Sequence, residues 1–175
     1  MDTIEYLDAV VPTPFRVLGV LLLPFSLGKL NVLNAVHSPF LGGGAEPTSG
    51  DLLEAVLLCS RSFDEGLEML GSVSTYLAEL DAIKRGLRGG WRRRKIDWPE
   101  AVVMFSEYLA DGWRRPDVWE AEGPMQPSSP WQEILVTSMV RSGYGRAEVM
   151  DMYLPLVWFI FHTGSELDSF RTARS

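Results

Sequence analysis

Along much of the chain apolar residues recur every three or four positions with charged residues between them, a period that predicts helices. From Ser26 to His37, Leu27, Leu30, Leu33 and Val36 share one face, and Pro39 with the glycines at 42–44 ends the helix. The Gly- and Pro-rich segment from Ser38 to Gly50 reads as a loop. Asp51 is placed to cap a second helix reaching about Ser60. Ser62-Phe-Asp-Glu65 is a capping box, in which the hydroxyl and the carboxylate satisfy each other's end of the helix backbone. The helix it opens is expected to be the longest, to about Leu87, with Phe63, Leu67, Leu70, Val73, Leu77, Leu80 and Leu87 as its stripe. That stripe reads as a core-facing surface, with a self-associating coiled-coil seam as the alternative and hence a homo-oligomer. Gly89-Gly90 is expected to break it.

Asp97-Trp-Pro-Glu100 starts another helix, with Asp97 as cap and Pro99 in the first turn, running to about Asp111 and stopped by Gly112. Ser129-Pro-Trp-Gln132 opens the next, which ends near Ser142. A short helical piece over Arg146–Met152 follows, and Pro155 opens the last helix, to about Phe170.

Two stretches depart from this period. Pro12 and Pro14 bias the lead-in away from helix, and Val17–Leu23 reads as a strand or as a buried extended arm. Residues 112–130, with Gly112, Pro116, Gly123, Pro124, Pro127 and Pro130, read as a linker. The expected architecture is mainly α. It has a compact helical bundle with an extended N-terminal arm over 1–111, a linker over 112–130, and a C-terminal helical pair over 131–175.

The stretch from Met150 to Phe161 carries the most functional information, being almost wholly apolar, rich in aromatics and interrupted by Pro155. It is shorter than the roughly 20 apolar residues a bilayer-spanning helix needs. A helix apolar on every side must be covered by its own core or by a partner. Met150, Met152, Tyr153, Trp158, Phe159 and Phe161 exceed what one helical face needs, and Met, Tyr and Trp are residue types that binding surfaces favour. They are the candidate partner contacts; the competing reading makes them the core of the C-terminal half.

Composition narrows the function classes. The 175 residues carry a net charge of −7, which argues against a nucleic-acid partner for the whole molecule. Arg92, Arg93, Arg94 and Lys95 form a basic patch with Lys84, Arg85, Arg88, Trp91 and Trp98 nearby. It reads as a solvated loop after a helix end, with an acidic protein partner or an acidic face of the same chain, and then nucleic acid, as the alternatives. The single cysteine, Cys59, reads as a buried core thiol. His37 and His162 are the only histidines, no metal-ligand spacing surrounds them, and neither metal nor other cofactor is expected. The carboxylates Asp64, Glu65, Glu68, Glu79, Asp81, Glu166 and Asp168 read as solvated helix faces. No phosphate loop or Gly-x-Ser-x-Gly elbow occurs, so the expected protein is non-catalytic. The acidic start, Met1-Asp-Thr-Ile-Glu5, is unlike a secretion signal, and the expected setting is cytoplasmic without a membrane partner.

Two stretches resemble the tail assembly chaperones of long-tailed bacteriophages. One is Val17-Leu-Gly-Val-Leu-Leu-Leu-Pro-Phe-Ser-Leu-Gly-Lys-Leu30 with the Ser-Pro-Phe stop at 38–40 and the helix at Asp51–Arg61. The other is Ser142-Gly-Tyr-Gly-Arg-Ala-Glu-Val-Met-Asp-Met-Tyr-Leu-Pro155. The resemblance implies a small, mainly helical, non-catalytic protein of the host cytoplasm. Such chaperones coat the apolar-rich tape measure protein, help recruit tail tube subunits, and leave before the virion is complete. A structural virion subunit of the neck or tail-completion type, and a peripheral membrane protein, are the alternatives.

Overall fold

A computed structural model describes residues 11–42, 46–91, 96–114 and 131–172, and the side chains of all of these except 88–91 and 165–172. Among the described residues the fold is mainly α, with eight helices and one two-stranded sheet. The sheet is a hairpin in which Arg16–Val17 (β1) pairs antiparallel with Val20–Leu21 (β2), Val17 opposite Val20. Its turn residues Leu18 and Gly19 both have positive φ, 52° and 77°, as a type I′ turn requires. The chain then runs extended from Leu22 to Phe25. The Leu23 N–H donates to the Cys59 carbonyl at 3.0 Å, and the Tyr108 hydroxyl donates to the Leu23 carbonyl at 2.9 Å. Val17, Leu22 and Phe25 are buried while Leu21 and Leu23 are exposed, so one side of this apolar run belongs to the core.

Helix α1, Leu27–Ala35, starts where the Ser26 hydroxyl accepts the Lys29 N–H at 3.2 Å. His37, at φ 52°, closes it in a Schellman arrangement, with the Ser38 N–H on the Leu33 carbonyl at 2.9 Å. A 3₁₀ turn over Pro39–Leu41 follows. Helix α2, Ser49–Cys59, is capped by Thr48, and Asp51, the third residue of the helix, closes that capping box rather than being the cap itself. The difference is local: the Thr48 hydroxyl reaches the Asp51 N–H while the Asp51 carboxylate accepts the Thr48 N–H at 2.7 Å.

Helix α3, Phe63–Leu70, begins with the Ser62/Glu65 capping box read from the sequence. It does not continue to Leu87. The chain breaks at Gly71–Ser72, the Ser72 hydroxyl accepts the Thr75 N–H at 3.4 Å, and a new helix, α4, runs over Val73–Trp91. Helix α4 also passes through Gly89 and Gly90, where the sequence predicts a stop. Glycine costs a helix interior only about 1 kcal/mol relative to alanine and does not by itself end it.

Helix α5 spans Trp98–Gly112 with Asp97 as cap and proline in its first turn. Helices α6 (Trp131–Arg141), α7 (Arg146–Asp151) and α8 (Leu154–Thr172) complete the chain. Of the expected linker, residues 115–130 lie outside the described residues.

The core centres on α2, whose Leu52, Ala55, Val56, Leu57, Leu58 and Cys59 are fully buried. Helix α2 packs on α1, α4 and α5, α1 also meets α3 and α7, and α7 meets α6, which carries α8. Two glycines allow the closest approaches. A Cβ at Gly28 would lie 2.6 Å from the Met150 carbonyl oxygen, and one at Gly112 would lie 2.2 Å from Cδ1 of Phe25. The chain between α7 and α8 is sewn to the N-terminal segment: Ser26 bridges Tyr153, and the Leu154 N–H donates to the Phe25 carbonyl at 2.9 Å.

Candidate functional site: the surface shared by α6 and α8

Helix α8 can start at Leu154 because Met152 is extended, at φ −66° and ψ 139°, and Pro155 sits in the first turn, where no backbone N–H is needed. That start point decides which apolar residues face inward. Met150 and Tyr153 are buried in the chain's own core, with Leu154 and Val157 beside them. The Tyr153 hydroxyl donates to the Asp111 carboxylate at 2.8 Å and lies 3.1 Å from the Asp111 carbonyl. Asp111 is itself buried and also accepts from Thr13 at 3.0 Å and from Arg114. These two residues of the predicted contact set therefore shape the site from beneath. Met152, Trp158, Phe159 and Phe161 are half-buried, as is Ile160, so each keeps part of its surface open.

An aromatic array fixes this surface. Trp131, at the start of α6, stacks on Trp158 with ring centres 5.4 Å apart and planes 21° from parallel. Trp113 meets Trp131 edge-on at 5.9 Å, and Phe25 lies 6.2 Å from Trp113. On the other side His162 stacks on Trp158 at 5.9 Å, and Phe161 sets its edge against Trp158 at 6.3 Å. Such pairs add about 0.5–1.5 kcal/mol beyond burial and hold rings in one orientation. Trp113 and Trp131 were not read from the sequence as part of this site. The only sequence signal for them is residue type, since 18 positions and a Pro-rich stretch separate the two.

Beside the array, a cleft of about 590 Å³ runs between α6 and α8, lined by Glu133, Ile134, Thr137, Arg141 and Phe161. A second cleft of about 470 Å³ lies on the other flank of α6, between Asn31, Val136, Arg146 and Met150. Glu133 and Thr137 line both, so α6 stands as a ridge between two grooves. The first groove has a carboxylate near one end of α6, a guanidinium at the other, and Ile134 and Phe161 as its apolar residues.

Two strongly perturbed groups, Cys59 and Tyr108, lie away from these grooves where α2 meets α5. Burial pushes the Cys59 thiol up to about 12, against the opposing pull of its hydrogen bond to Tyr108 and of Lys29. Burial likewise raises Tyr108 well above the ordinary tyrosine value. A thiol held neutral and fully buried does not attack electrophiles. Native protein at pH 8 is therefore expected to leave Cys59 unmodified by a thiol-reactive chromogen, with one equivalent reacting after unfolding in urea. A native-state reaction at the rate of a free thiol would contradict this burial.

Arg92, Arg93, Arg94 and Lys95 lie outside the described residues. Lys84 and Arg85, at the start of the same basic run, are exposed on α4. Among the described residues no group of three or more His, Cys, Asp or Glu is placed to hold a metal ion, and no helix is long and apolar enough to cross a membrane. No family model, no curated protein and no solved structure matches this chain.

Proposed function

We propose that this protein is an assembly chaperone of a long-tailed bacteriophage, acting in the host cytoplasm. In this reading it shields apolar helical segments of the tape measure protein and aids assembly of the tail tube. The observation that supports it is the concentration of half-buried aromatics on α8, Trp158, Phe159 and Phe161, of which Phe161 lines the α6–α8 groove. A groove with Ile134 and Phe161 among polar side chains suits an amphipathic client helix, its apolar residues on these two and its polar ones on the rim. Phe161 and Trp158 supply anchors whose orientation is set before the client arrives, so little side-chain entropy is lost on binding. Glu133 and Arg141, two turns apart on α6, give the groove a sense of direction. The basic residues Arg92, Arg93, Arg94 and Lys95 would speed the approach of an acidic client more than they tighten the final complex.

The test is expression of the tape measure protein of the same genome with and without this chain. The client is expected to be soluble in the first case and aggregated in the second; a client equally soluble alone ends the proposal. Phe161→Ala, checked for native helix content, is expected to weaken client binding by about 2 kcal/mol, roughly thirtyfold in Kd. Finished virions are expected to lack the protein. Its presence there in stoichiometric amount would make it a permanent structural subunit instead.

A further inference from the structure

Helix α6 presents to solvent a surface whose charges have no partner within the chain. Leu135 and Met139, each 1% exposed, seat α6 on the core. Turned away from them, Glu133, Thr137 and Arg141 are exposed, with Ile134 and Ser138 half-buried beside them, and all five line the α6–α8 groove. Among the described residues neither Glu133 nor Arg141 takes part in a side-chain hydrogen bond or an ion pair. The two stand about 12 Å apart along the helix and do not meet each other.

We propose that this groove is filled by α6 of a second copy of the chain, laid antiparallel about a twofold axis between Thr137 and Ser138. A helix that answers the groove must carry a base where the groove has Glu133 and an acid where it has Arg141. Helix α6 turned end for end is such a helix. The axis sets Arg141 of one copy opposite Ile134 of the other. The arginine stem covers the isoleucine, and the guanidinium comes within reach of Glu133. The twofold repeats this pair on the other side of the axis. A parallel pair would set Glu133 against Glu133 and Arg141 against Arg141. Thr137 and Ser138 at the axis are small, which permits the close end of the usual interhelix range of about 8–10 Å. The charges lie at the rim and fix orientation more than affinity. One helix laid in one groove buries less than the standard area of about 800 Å² per partner, so a Kd of about 10 µM is expected. The net charge of −7 opposes pairing, but at physiological salt the Debye length is about 8 Å and this long-range repulsion is largely screened. The inference stands on the groove's own residues and not on the chaperone reading. A copy seated there covers Phe161, so a client would compete with it, but the pairing is measured with this chain alone.

Sedimentation equilibrium of the full chain at about 0.15 M salt tests it. The average mass is expected to rise from 19.6 kDa toward twice that value between about 1 and 200 µM. Glu133→Arg and Arg141→Glu change exposed side chains, and each is expected to keep the parent's circular dichroism while raising the dimer Kd by about tenfold or more. Glu133→Arg lowers the net negative charge, so its loss of pairing cannot come from added repulsion between whole molecules. A mixture of the two variants is expected to pair, since every Arg then meets a Glu. The double variant Glu133→Arg/Arg141→Glu is expected to pair as the parent does, because antiparallel packing again sets unlike charges together. A chain still monomeric at about 200 µM, a dimer indifferent to either single swap, or a double variant no better than the single ones would each overturn the proposal.

Discussion

Phe25→Ala is expected to destabilise the protein by about 3–5 kcal/mol, a large share of the 5–15 kcal/mol that holds a domain of this size folded. The residue is 1% exposed and lies where three parts of the chain cross. Its ring meets Tyr108 edge-on at 5.6 Å and Trp113 at 6.2 Å, and its carbonyl accepts the N–H of Leu154 at the start of α8. Helix α5 passes so close that Gly112 has no room for a side chain against that ring. Truncation therefore opens a cavity under Trp113, the first member of the aromatic array that ends at Phe161. Urea unfolding measures the loss, and Leu23→Ala, at a 38% exposed position two residues away, is the control expected to cost far less. Gly112→Ala is also expected to destabilise, but less in the Phe25→Ala background, because the closest atom to the new methyl, Cδ1 of Phe25, is then gone. Additive losses would mean that α5 and Phe25 are not packed as described.

The parts of this fold that could be read from sequence are those settled within four residues. Ser62 with Glu65, and Asp97 with Pro99, satisfy helix N-termini through bonds that depend on nothing farther away. The mainly α character follows from the same local signals. The hairpin was hidden because its turn has leucine at a position that usually announces itself with Asn or Gly, so Leu18 reads as one more residue of an apolar run. The long predicted helix failed for a different reason. Phe63, Leu67, Leu70, Val73, Leu77, Leu80 and Leu87 stay in helical phase as letters, but Ser72 caps a new helix inside that run. The result leaves Leu67, Val73 and Leu77 exposed while Met69, Leu80 and Leu87 reach the core. At the candidate site the excess of aromatics on α8 was legible, whereas the division between covered and open sides was not. That division is made by contacts distant in sequence: Asp111 draws in Tyr153, the Phe25 carbonyl fixes Leu154, and Trp131 covers part of Trp158.

The second large effect is expected at a buried cation, where removing either charge of one pair should give opposite results. Lys29 is 1% exposed; its Nζ donates to the Arg61 carbonyl just past the end of α2 and lies 3.9 Å from the Asp151 carboxylate. Asp151 in turn accepts the Phe63 N–H at 2.7 Å, which ties α7 to the first turn of α3. Asp151→Ala leaves a buried ammonium without its nearest counter-charge and the Phe63 N–H without its acceptor, although the Ser62/Glu65 box still caps α3. The expected loss is about 2–3 kcal/mol, below the range for a fully buried pair because the Asp151 side chain is 38% exposed. Lys29→Met keeps the stem and removes the desolvated charge, so it is expected to fall within about 1 kcal/mol of the parent at pH 7. The pH dependence separates the two views of this lysine. Burial lowers its pKa from the ordinary 10.5, with Cys59, Asp151 and Glu65 opposing. Between the lowered value and 10.5 Lys29 binds more protons in the unfolded chain than in the folded one, so its own contribution to stability rises with pH across that window. Cys59 above about pH 9 and Tyr153 above about pH 10 act in the opposite sense, because burial raises both and the unfolded chain then loses protons that the folded one keeps; these contributions are common to the parent and to Lys29→Met. Unfolding midpoints at several pH values below 10 should therefore show the parent gaining on Lys29→Met as pH rises. A Lys29→Met protein that loses several kcal/mol at pH 7, with a difference from the parent that pH does not change, would mean the ammonium stabilises the fold outright, and its depressed pKa would then have to be wrong.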